Sequence, residues 1–178
     1  MLDTVAAPRM AQGSPAVPAS ELRAVMAHYP TGVVVVTAMA DGAPVGFVVG
    51  SFTSISLDPP LVGFFADQSS TTYPKVERAG AFCANVLSSD HSHLCRQFSS
   101  KSGDRFAGTT WRPAPSGSPI LDEAVAWVDC DLHDTVVVGD HTLSVGRVRS
   151  LSLETHAAPL IFHRGAYVTG LHQSDEAR

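Results

Sequence analysis

The sequence predicts a mostly β fold, a closed or partly closed antiparallel barrel with three short helices. Seven or eight segments show the β-branched runs, or the alternation of apolar and polar residues, that are typical of strands. The helical segments are few and do not alternate regularly with the strands, which argues against a doubly wound parallel sheet. The sequence shows no internal repeat. Closure into a barrel is a common way for many short antiparallel strands to avoid exposed edges.

Composition and charge limit the class of protein. A chain of 178 residues with 44% hydrophobic residues is expected to form one compact domain. The formal net charge of -5 argues against nucleic acid as the main partner, because such proteins usually carry a strongly basic face. We expect a disordered Ala- and Pro-rich tail at 1–18, a folded domain at 19–172 and a short tail at 173–178.

The cysteines and the hydropathy indicate a cytoplasmic protein that does not bind a membrane. The longest apolar candidate, Gly32 to Val36, has the length of a strand and falls far short of the roughly 20 residues that span a bilayer. The N-terminus lacks the pattern of a secretory signal. Cys83, Cys95 and Cys130 fit no paired framework and are interpreted as buried thiols in a reducing compartment.

Periodicity and turn residues predict the individual elements. A helix is expected to begin after Ser20, a plausible N-cap, and to stop at Pro30. Its apolar stripe consists of Leu22, Val25, Met26 and Tyr29. A second helix is expected from Pro74 to Gly80, and one or two helical turns over 91–98. The predicted strands are Val33 to Thr37, Pro44 to Val49, Leu61 to Ala66, Phe82 to Leu87, Ala124 to Leu132, Val136 to Val138, Leu143 to Val148 and Leu160 to Phe162.

Two hydroxyl-rich segments are candidates for phosphate binding. The segment 44–60 combines four Ser and Thr hydroxyls with Gly46 and Gly50, at which a ligand could approach the backbone. The segment 67–74 places four consecutive hydroxyl residues before a predicted helix N-terminus, which favours an anion. Each also has a simpler interpretation, the first as a strand end and turn, the second as ordinary helix capping.

Two further segments carry groups that could bind a cofactor. The loop 98–106 supplies Lys101, Arg105 and several hydroxyls, which suit a pyrophosphate or a solvated surface equally well. The Gly139-Asp140-His141 turn offers an imidazole that could hydrogen-bond a ligand amide or phosphate, although a lone surface histidine often has no such role.

Other chemistries find little support in the sequence. His91, His93 and Cys95 form an HxHxC pattern; on a helix only His91 and Cys95 would share a face, whereas on a strand all three would. No second cluster of ligands with a regular spacing accompanies them, so no metal site is predicted. The chain has no GxSxG nucleophile elbow, no Walker A loop and no GxGxxG fingerprint. If it uses a nicotinamide cofactor, it does so without a recognisable Rossmann unit.

Six motifs that occur in order resemble the short-chain flavin reductase family, the reductase components of two-component flavin-dependent monooxygenases. The motifs are PTGVVVVT, GFVVGSFTSISLDPPL, FCANVLSSDH, DRFAG, GDHTLSVG and PLIFHRGAY. The resemblance covers roughly residues 20 to 170 and is nearest to members that serve aromatic-ring or steroid-ring hydroxylases. It implies a Greek-key-like, FMN-binding split β-barrel that forms a homodimer, with flavin in a groove near the subunit interface.

The resemblance also implies which residues bind the cofactors. Flavin is expected along Val45, Gly46, Phe47, Val48, Gly50 and Ser51. It is further expected to touch Phe65, Ala66, Asp67, Gln68, Ser69, Ser70, Thr71, Ser99, Ser100 and Lys101. The nicotinamide cofactor is expected to meet His141, the one catalytic residue assigned, and Phe162, His163, Arg164 and Gly165. Many relatives have Thr in place of Val48 and Asn, Ser or Gln in place of Gly50, so this chain lacks hydrogen bonds that those side chains could make.

The function implied by the resemblance is that of an NAD(P)H:flavin oxidoreductase. It would reduce FMN or FAD by hydride transfer and supply reduced flavin to a separate monooxygenase. Because hydride passes directly between the two cofactors, positioning residues are expected rather than a nucleophile. The alternative is a split-barrel protein that holds its flavin tightly, as an electron carrier, oxidase or redox sensor. The residues do not choose between FMN and FAD or between NADH and NADPH.

Overall fold

The computed structural model describes residues 17–168. The helices are α1 (Ala19–Met26), α2 (Tyr73–Ala79) and α3 (Ser92–Ser99), with a 3-10 turn at Ser89–His91 before α3. The strands are β1 (Thr31–Gly32), β2 (Val34–Ala40), β3 (Ala43–Val49), β4 (Thr53–Leu57), β5 (Pro60–Asp67), β6 (Ala81–Val86), β7 (Trp111–Pro113), β8 (Pro119–Leu121), β9 (Ala126–Val138), β10 (His141–Leu153), β11 (Ile161–His163) and β12 (Ala166–Val168). Apart from residues 17 and 18, the two predicted tails lie outside the described residues.

A curled seven-stranded antiparallel sheet dominates the fold. Its strand order is β3-β2-β6-β9-β10-β5-β4. The ends of β3 and β5, which four other strands separate in that order, meet because the Ser51 hydroxyl bonds the main chain of Phe65. The prediction of a mostly β, antiparallel barrel is therefore confirmed. The small sheet β1-β11-β12 and the hairpin β7-β8 flank the barrel.

Aromatic side chains fill the inside of the curled sheet. Phe64 and Phe82 are fully buried, and their rings meet edge to face with the ring centroids 5.2 Å apart. Helix α2 covers one end of this core with Tyr73 and Val76. The Tyr73 hydroxyl accepts a 2.8 Å hydrogen bond from Ser144, so the buried phenol has a partner. Burial raises the pKa of Tyr73.

Strand β2 is buried on both faces, as its β-branched run predicts. Val34 and Val36 point into the barrel, whereas Val33 and Val35 pack on the outside against a second apolar cluster. That cluster includes Phe98 of α3, which is fully buried. Its burial fixes the C-terminal end of α3. The loop at 99–105 continues from there to β3, where Arg105 bonds the carbonyl of Gly46.

A buried amide orders part of the Ser- and Pro-rich excursion at 99–119. Asn85 Nδ2 lies 3.2 Å from the carbonyl of Val35 and 3.3 Å from that of Pro119. Asn85 Oδ1 accepts the N–H of Leu121 at 2.8 Å. The hairpin β7-β8 is thereby held on the outer face of β2 and β6, an arrangement that local sequence patterns do not reveal.

Several predicted element boundaries were wrong. Helix α1 begins at Ala19, because the carbonyl of Pro18 accepts the first helical hydrogen bonds, and Ser20 therefore lies inside the helix instead of capping it. The two strands predicted around 124–138 are one strand, β9, because β10 pairs with it along its whole length despite two register shifts. Strand β4 was interpreted as a hydroxyl-rich turn; its pairing with β5 supplies the hydrogen bonds that its own sequence pattern does not predict.

The helices of the described residues are too short or too polar to cross a bilayer.

Helix α1 is unusual, since it has no buried residue. Its predicted apolar stripe of Leu22, Val25, Met26 and Tyr29 is 52–69% exposed.

Candidate active site

An open groove of about 950 Å³ lies where the barrel closes, between the ends of β3 and β5. Its volume is near the upper end of the range of about 300–1,000 Å³ that is usual for small-molecule sites. The end of α3 and the loop after it form a further side. Thirteen of the predicted site residues line it: Phe47, Val48, Gly50, Ser51, Phe65, Ala66, Asp67, Ser69, Ser70, Thr71, Ser99, Lys101 and His141. Segments that are far apart in the sequence therefore converge on one site.

Ser51 closes the barrel beside this groove. Its hydroxyl accepts the N–H of Phe65 at 2.9 Å and lies 3.3 Å from the carbonyl of the same residue. Both contacts are to main-chain atoms of β5, so they hold the two walls of the groove together. A ligand can therefore use only the remaining lone pair of this hydroxyl.

The hydroxyl residues after β5 mainly stabilise their own turn. The carboxylate of Asp67 accepts the N–H of Ser69 at 2.7 Å, and hydrogen bonds from Ser69 lower the pKa of Asp67. Ser70 Oγ accepts the N–H groups of Thr72 and Tyr73 at the start of α2. The capping interpretation is thus correct for Ser70, and these two N–H groups are not free for an anion.

Arg105 joins three walls of the groove. Its Nη1 donates to the carbonyl of Gly46 at 2.7 Å and to the hydroxyl of Thr72 at 2.9 Å. Its Nε donates to the carbonyl of Ser100 at 2.8 Å. One guanidinium therefore fixes β3, the start of α2 and the loop after α3 relative to each other, while Nη2 remains for a ligand.

His141 stands at another side of the groove, at the first residue of β10. The preceding Gly139 has a φ of 63°, which the tight turn between β9 and β10 requires. His141 Nδ1 lies 2.6 Å from Asp140 Oδ1, and this hydrogen bond lowers the pKa of Asp140. Because an ionised carboxylate only accepts, Nδ1 carries a proton and Nε2 is left for a ligand.

Gly50 leaves room for a neighbouring hydroxyl. A Cβ atom at Gly50 would lie 2.8 Å from Thr31 Oγ1, so the Thr31 side chain occupies the space that a larger residue would take. Thr31 itself lines the groove. The absence of a polar side chain at position 50 therefore does not remove every hydroxyl from this part of the site.

The other predicted residues do not line the groove in this chain. Val45 and Gly46 line a smaller pocket beside it. Gln68 and Ser100 serve the surrounding loops, since Gln68 Nε2 donates to Gly139 and Ser100 Oγ to Ser102. The segment 162–165 belongs to the small sheet, where Phe162 pairs with Thr31 and the N–H of Arg164 bonds the carbonyl of Ala27. This segment reaches the groove only through its neighbours, and its role in nicotinamide binding stays a prediction.

Seven residues that line the groove were not among the residues assigned to cofactor binding. They are Met26, Tyr29, Thr31, Val49, Thr72, Phe98 and Arg105, of which Val49 and Phe98 are buried. Arg105 was named only as a cation of the loop 98–106, although it lies in the DRFAG motif, and Thr31 lies in PTGVVVVT, so a closer use of those motifs could have assigned both to the site. Met26 and Tyr29 carry no such signal.

The HxHxC pattern does not form a site. His91 Nε2 and His93 Nε2 lie 3.3 Å and 3.7 Å from the same Glu123 oxygen, whereas Cys95 is buried and receives the hydroxyl of Tyr167. Within residues 17–168 no set of three His, Cys, Asp or Glu side chains could hold a metal ion.

The donor set of the groove fits a flavin. Phe47, Val48 and the 40% exposed Phe65 offer apolar surface for an aromatic ring system. Thr71 and Lys101 offer a hydroxyl and a cation to a phosphate. An apolar pocket with a few polar groups at fixed positions is the usual form of a cofactor site.

Comparison with known proteins gives the family. The model of the flavin reductase like domain matches residues 26–171, and the chain belongs to this family. It is 53% identical over 146 residues to a flavin reductase from Pseudomonas putida, covering 82% of this chain and 86% of the relative. It is 44% identical to HsaB, the reductase subunit of a flavin-dependent monooxygenase from Rhodococcus jostii, covering 84% and 76%.

A solved structure agrees with the fold. The NADH:FAD oxidoreductase SgcE6 from Streptomyces globisporus, in complex with NAD and FAD fragments, has a TM-score of 0.82 at 30% identity, covering 88% of this chain and 94% of that one. The resemblance inferred from the sequence is thus confirmed, and with it the assignment to NAD(P)H-dependent flavin oxidoreductases.

Proposed function

We propose that this chain is the NAD(P)H:flavin oxidoreductase component of a two-component flavin-dependent monooxygenase, using FMN or FAD. The observation that carries the proposal is that one groove joins an apolar wall, two cations and the imidazole of His141. The bound cofactors supply the hydride chemistry themselves, so the protein binds them, orients them and excludes water.

Each part of the groove has a separate task in this proposal. Phe47 and Val48 flank the isoalloxazine ring, and Lys101 with Arg105 binds the phosphate end of the flavin. His141 Nε2 bonds the carboxamide of the nicotinamide, while Asp140 fixes the plane and the tautomer of the ring. None of these groups needs to exchange a proton with the reacting carbon.

The open groove suits a flavin that leaves after reduction. Val48 and Gly50 carry no hydrogen-bonding side chains, and both hydroxyl contacts of Ser51 go to Phe65. Few side-chain donors therefore hold the ring, which favours exchange of flavin with solvent. Reduced flavin would then reach a monooxygenase that is a separate protein.

The homodimer is proposed from exposed apolar surface. Besides the stripe on α1, Val136, Val137 and Val138 are 46–69% exposed at the end of β9. Large exposed apolar patches usually mark interaction sites. Met26 and Tyr29 belong both to the stripe and to the groove, so a second subunit on this face would cover the rim of the site. Light scattering of the purified protein should give the mass of a dimer, and a monomer at micromolar concentration would contradict this part.

We propose a cytoplasmic location for the protein because its three cysteines are free thiols. Cys83, Cys95 and Cys130 are all free and buried. Burial raises the pKa of Cys130 to about 12 and that of Cys83 further, so both remain unreactive thiols at neutral pH.

Steady-state kinetics test the proposed function. NADH and NADPH oxidation would be followed with FMN, FAD and riboflavin in turn, before and after dialysis of the purified protein. Turnover that requires added flavin is expected. Flavin retained through dialysis without nicotinamide oxidation would instead identify a flavin-holding protein of the alternative type.

His141→Ala should raise the KM for the nicotinamide cofactor by about 5- to 10-fold, the size of one lost hydrogen bond, and the KM for flavin by less than about 2-fold. The variant His156→Ala is the matched control, because His156 is exposed on a loop outside the groove. Equal kinetics in His141→Ala and His156→Ala would remove His141 from the site.

A further inference from the structure

A smaller pocket of about 270 Å³ lies beside the cationic end of the groove. The two cavities share Thr71, Thr72, Lys101 and Arg105. A ligand that fills the groove can therefore extend into the smaller pocket along one continuous surface.

The smaller pocket carries a surplus of positive charge. Lys75, Lys101 and Arg105 line it, against one acid, Asp104. The Asp104 carboxylate accepts the N–H of Phe106 at 2.9 Å and so is turned to its own loop. Within residues 17–168, neither lysine takes part in an ion pair or a side-chain hydrogen bond, so both ammonium groups are available to an anion.

One phosphate does not account for this set of cations. The terminal phosphate of FMN would lie in the groove, within reach of Lys101, the spare Nη2 of Arg105 and the Thr71 hydroxyl. Lys75 lines only the smaller pocket, beyond the point where the cavities join. A second phosphate, linked to the first and directed into the smaller pocket, would bring Lys75 into use.

We infer that the smaller pocket binds the adenylate end of FAD, with Lys75 at its pyrophosphate, so that the protein prefers FAD to FMN. This inference rests on the proposed function of the groove. Pro44 and Val45 supply apolar wall for the adenine.

The position of the pocket favours the adenylate of FAD over that of the nicotinamide cofactor. Arg105 bonds Gly46, whereas His141 pairs with Asp67 near the Ser51 closure. Gly46 lies inside β3, whereas Ser51 lies beyond the end of that strand at Val49, so the two residues mark different places along the groove. The pocket therefore lies at the end of the groove away from the residue assigned to nicotinamide.

Titration of flavin fluorescence with the full-length protein tests the inference. Wild-type protein should bind FAD more tightly than FMN, with a ratio of dissociation constants that falls as salt is raised. Lys75→Glu should raise the Kd for FAD by about 3- to 10-fold and change the Kd for FMN and riboflavin by less than about 2-fold.

Arg78→Glu is the matched control, since it makes the same charge reversal on the same helix. Arg78 lines neither cavity, and its only ion pair in the described chain is a 3.8 Å contact with Asp41. It should leave both dissociation constants unchanged.

The other outcomes separate the two proposals. Equal losses for FAD and FMN in Lys75→Glu, or no loss for either, would overturn the inference while leaving the flavin groove in place. In the steady-state assay of Lys75→Glu, a rise confined to the KM for NADPH would assign the pocket to the nicotinamide cofactor and overturn the inference as well. Failure of the wild-type protein to bind riboflavin, FMN and FAD alike would overturn the proposed function itself.

Discussion

Arg105→Ala is expected to weaken flavin binding by about 10- to 100-fold and to destabilise the fold by about 2 kcal/mol. The guanidinium holds Gly46, Thr72 and Ser100 with three hydrogen bonds of 2.7–2.9 Å. Without it, the loop after α3 loses its connection to β3 and α2, and the groove loses a cation. Flavin fluorescence titration and urea unfolding measure the two effects separately.

Two controls distinguish the causes of this effect. Arg105→Lys keeps the charge, but its three donors all lie on one nitrogen and cannot reach the separated acceptors that Nε and Nη1 of the arginine bond, so it should recover only a small part of the affinity. Arg147→Ala removes an exposed arginine of β10 that does not line the groove, and it should bind flavin normally. Full recovery in Arg105→Lys would show that charge alone matters and that the bridging geometry does not.

Gly146→Ala is expected to lower the free energy of unfolding by about 3 kcal/mol. Gly146 lies on β10, next to a register shift in its pairing with β9. A Cβ atom there would overlap the ring of Phe82, with Cε1 at 2.7 Å, and would lie 2.8 Å from Cys130 Cβ. Both neighbours are fully buried inside the barrel, so neither can move aside without displacing the core.

Gly32→Ala is the control for this substitution. Apart from Gly32 and its two chain neighbours, no heavy atom lies within 4 Å of the Cβ position at Gly32, so the same change should cost less than about 1 kcal/mol. Chemical unfolding of both variants at one protein concentration gives the comparison, because a dimer would make stability depend on concentration. Equal stabilities of Gly146→Ala and wild-type protein would show that β10 has room the structure does not reveal.

The sequence predicted the strands whose patterns reflect burial. Val33 to Thr37 forms a doubly buried strand because the barrel core lies on one side and α3 on the other, and both sides require apolar residues. Strand β4 and the hairpin β7-β8 escaped prediction. Their pairing depends on β5 and on the amide of Asn85, which no local pattern records.

The same distinction holds for the groove. The hydroxyls of Ser51 and Ser70 were predicted as ligand groups from their residue type and from the resemblance to the family. In the structure Ser51 holds β3 to β5 and Ser70 caps α2, because main-chain donors and acceptors lie within 3.3 Å of them. A residue type shows what a side chain can bond, and only its neighbours determine which bond it makes.

By itself, the sequence determined the fold class, the family and most of the segments that line the groove, because strand periodicity, turn residues and ordered motifs are local properties of the chain. Tertiary structure alone decided that Arg105 joins three walls, that Thr31 fills the space above Gly50, and that a second cationic pocket continues from the groove. Those features arise from contacts between residues up to 59 positions apart, and their energies depend on distances of a few ångströms that closure of the barrel sets.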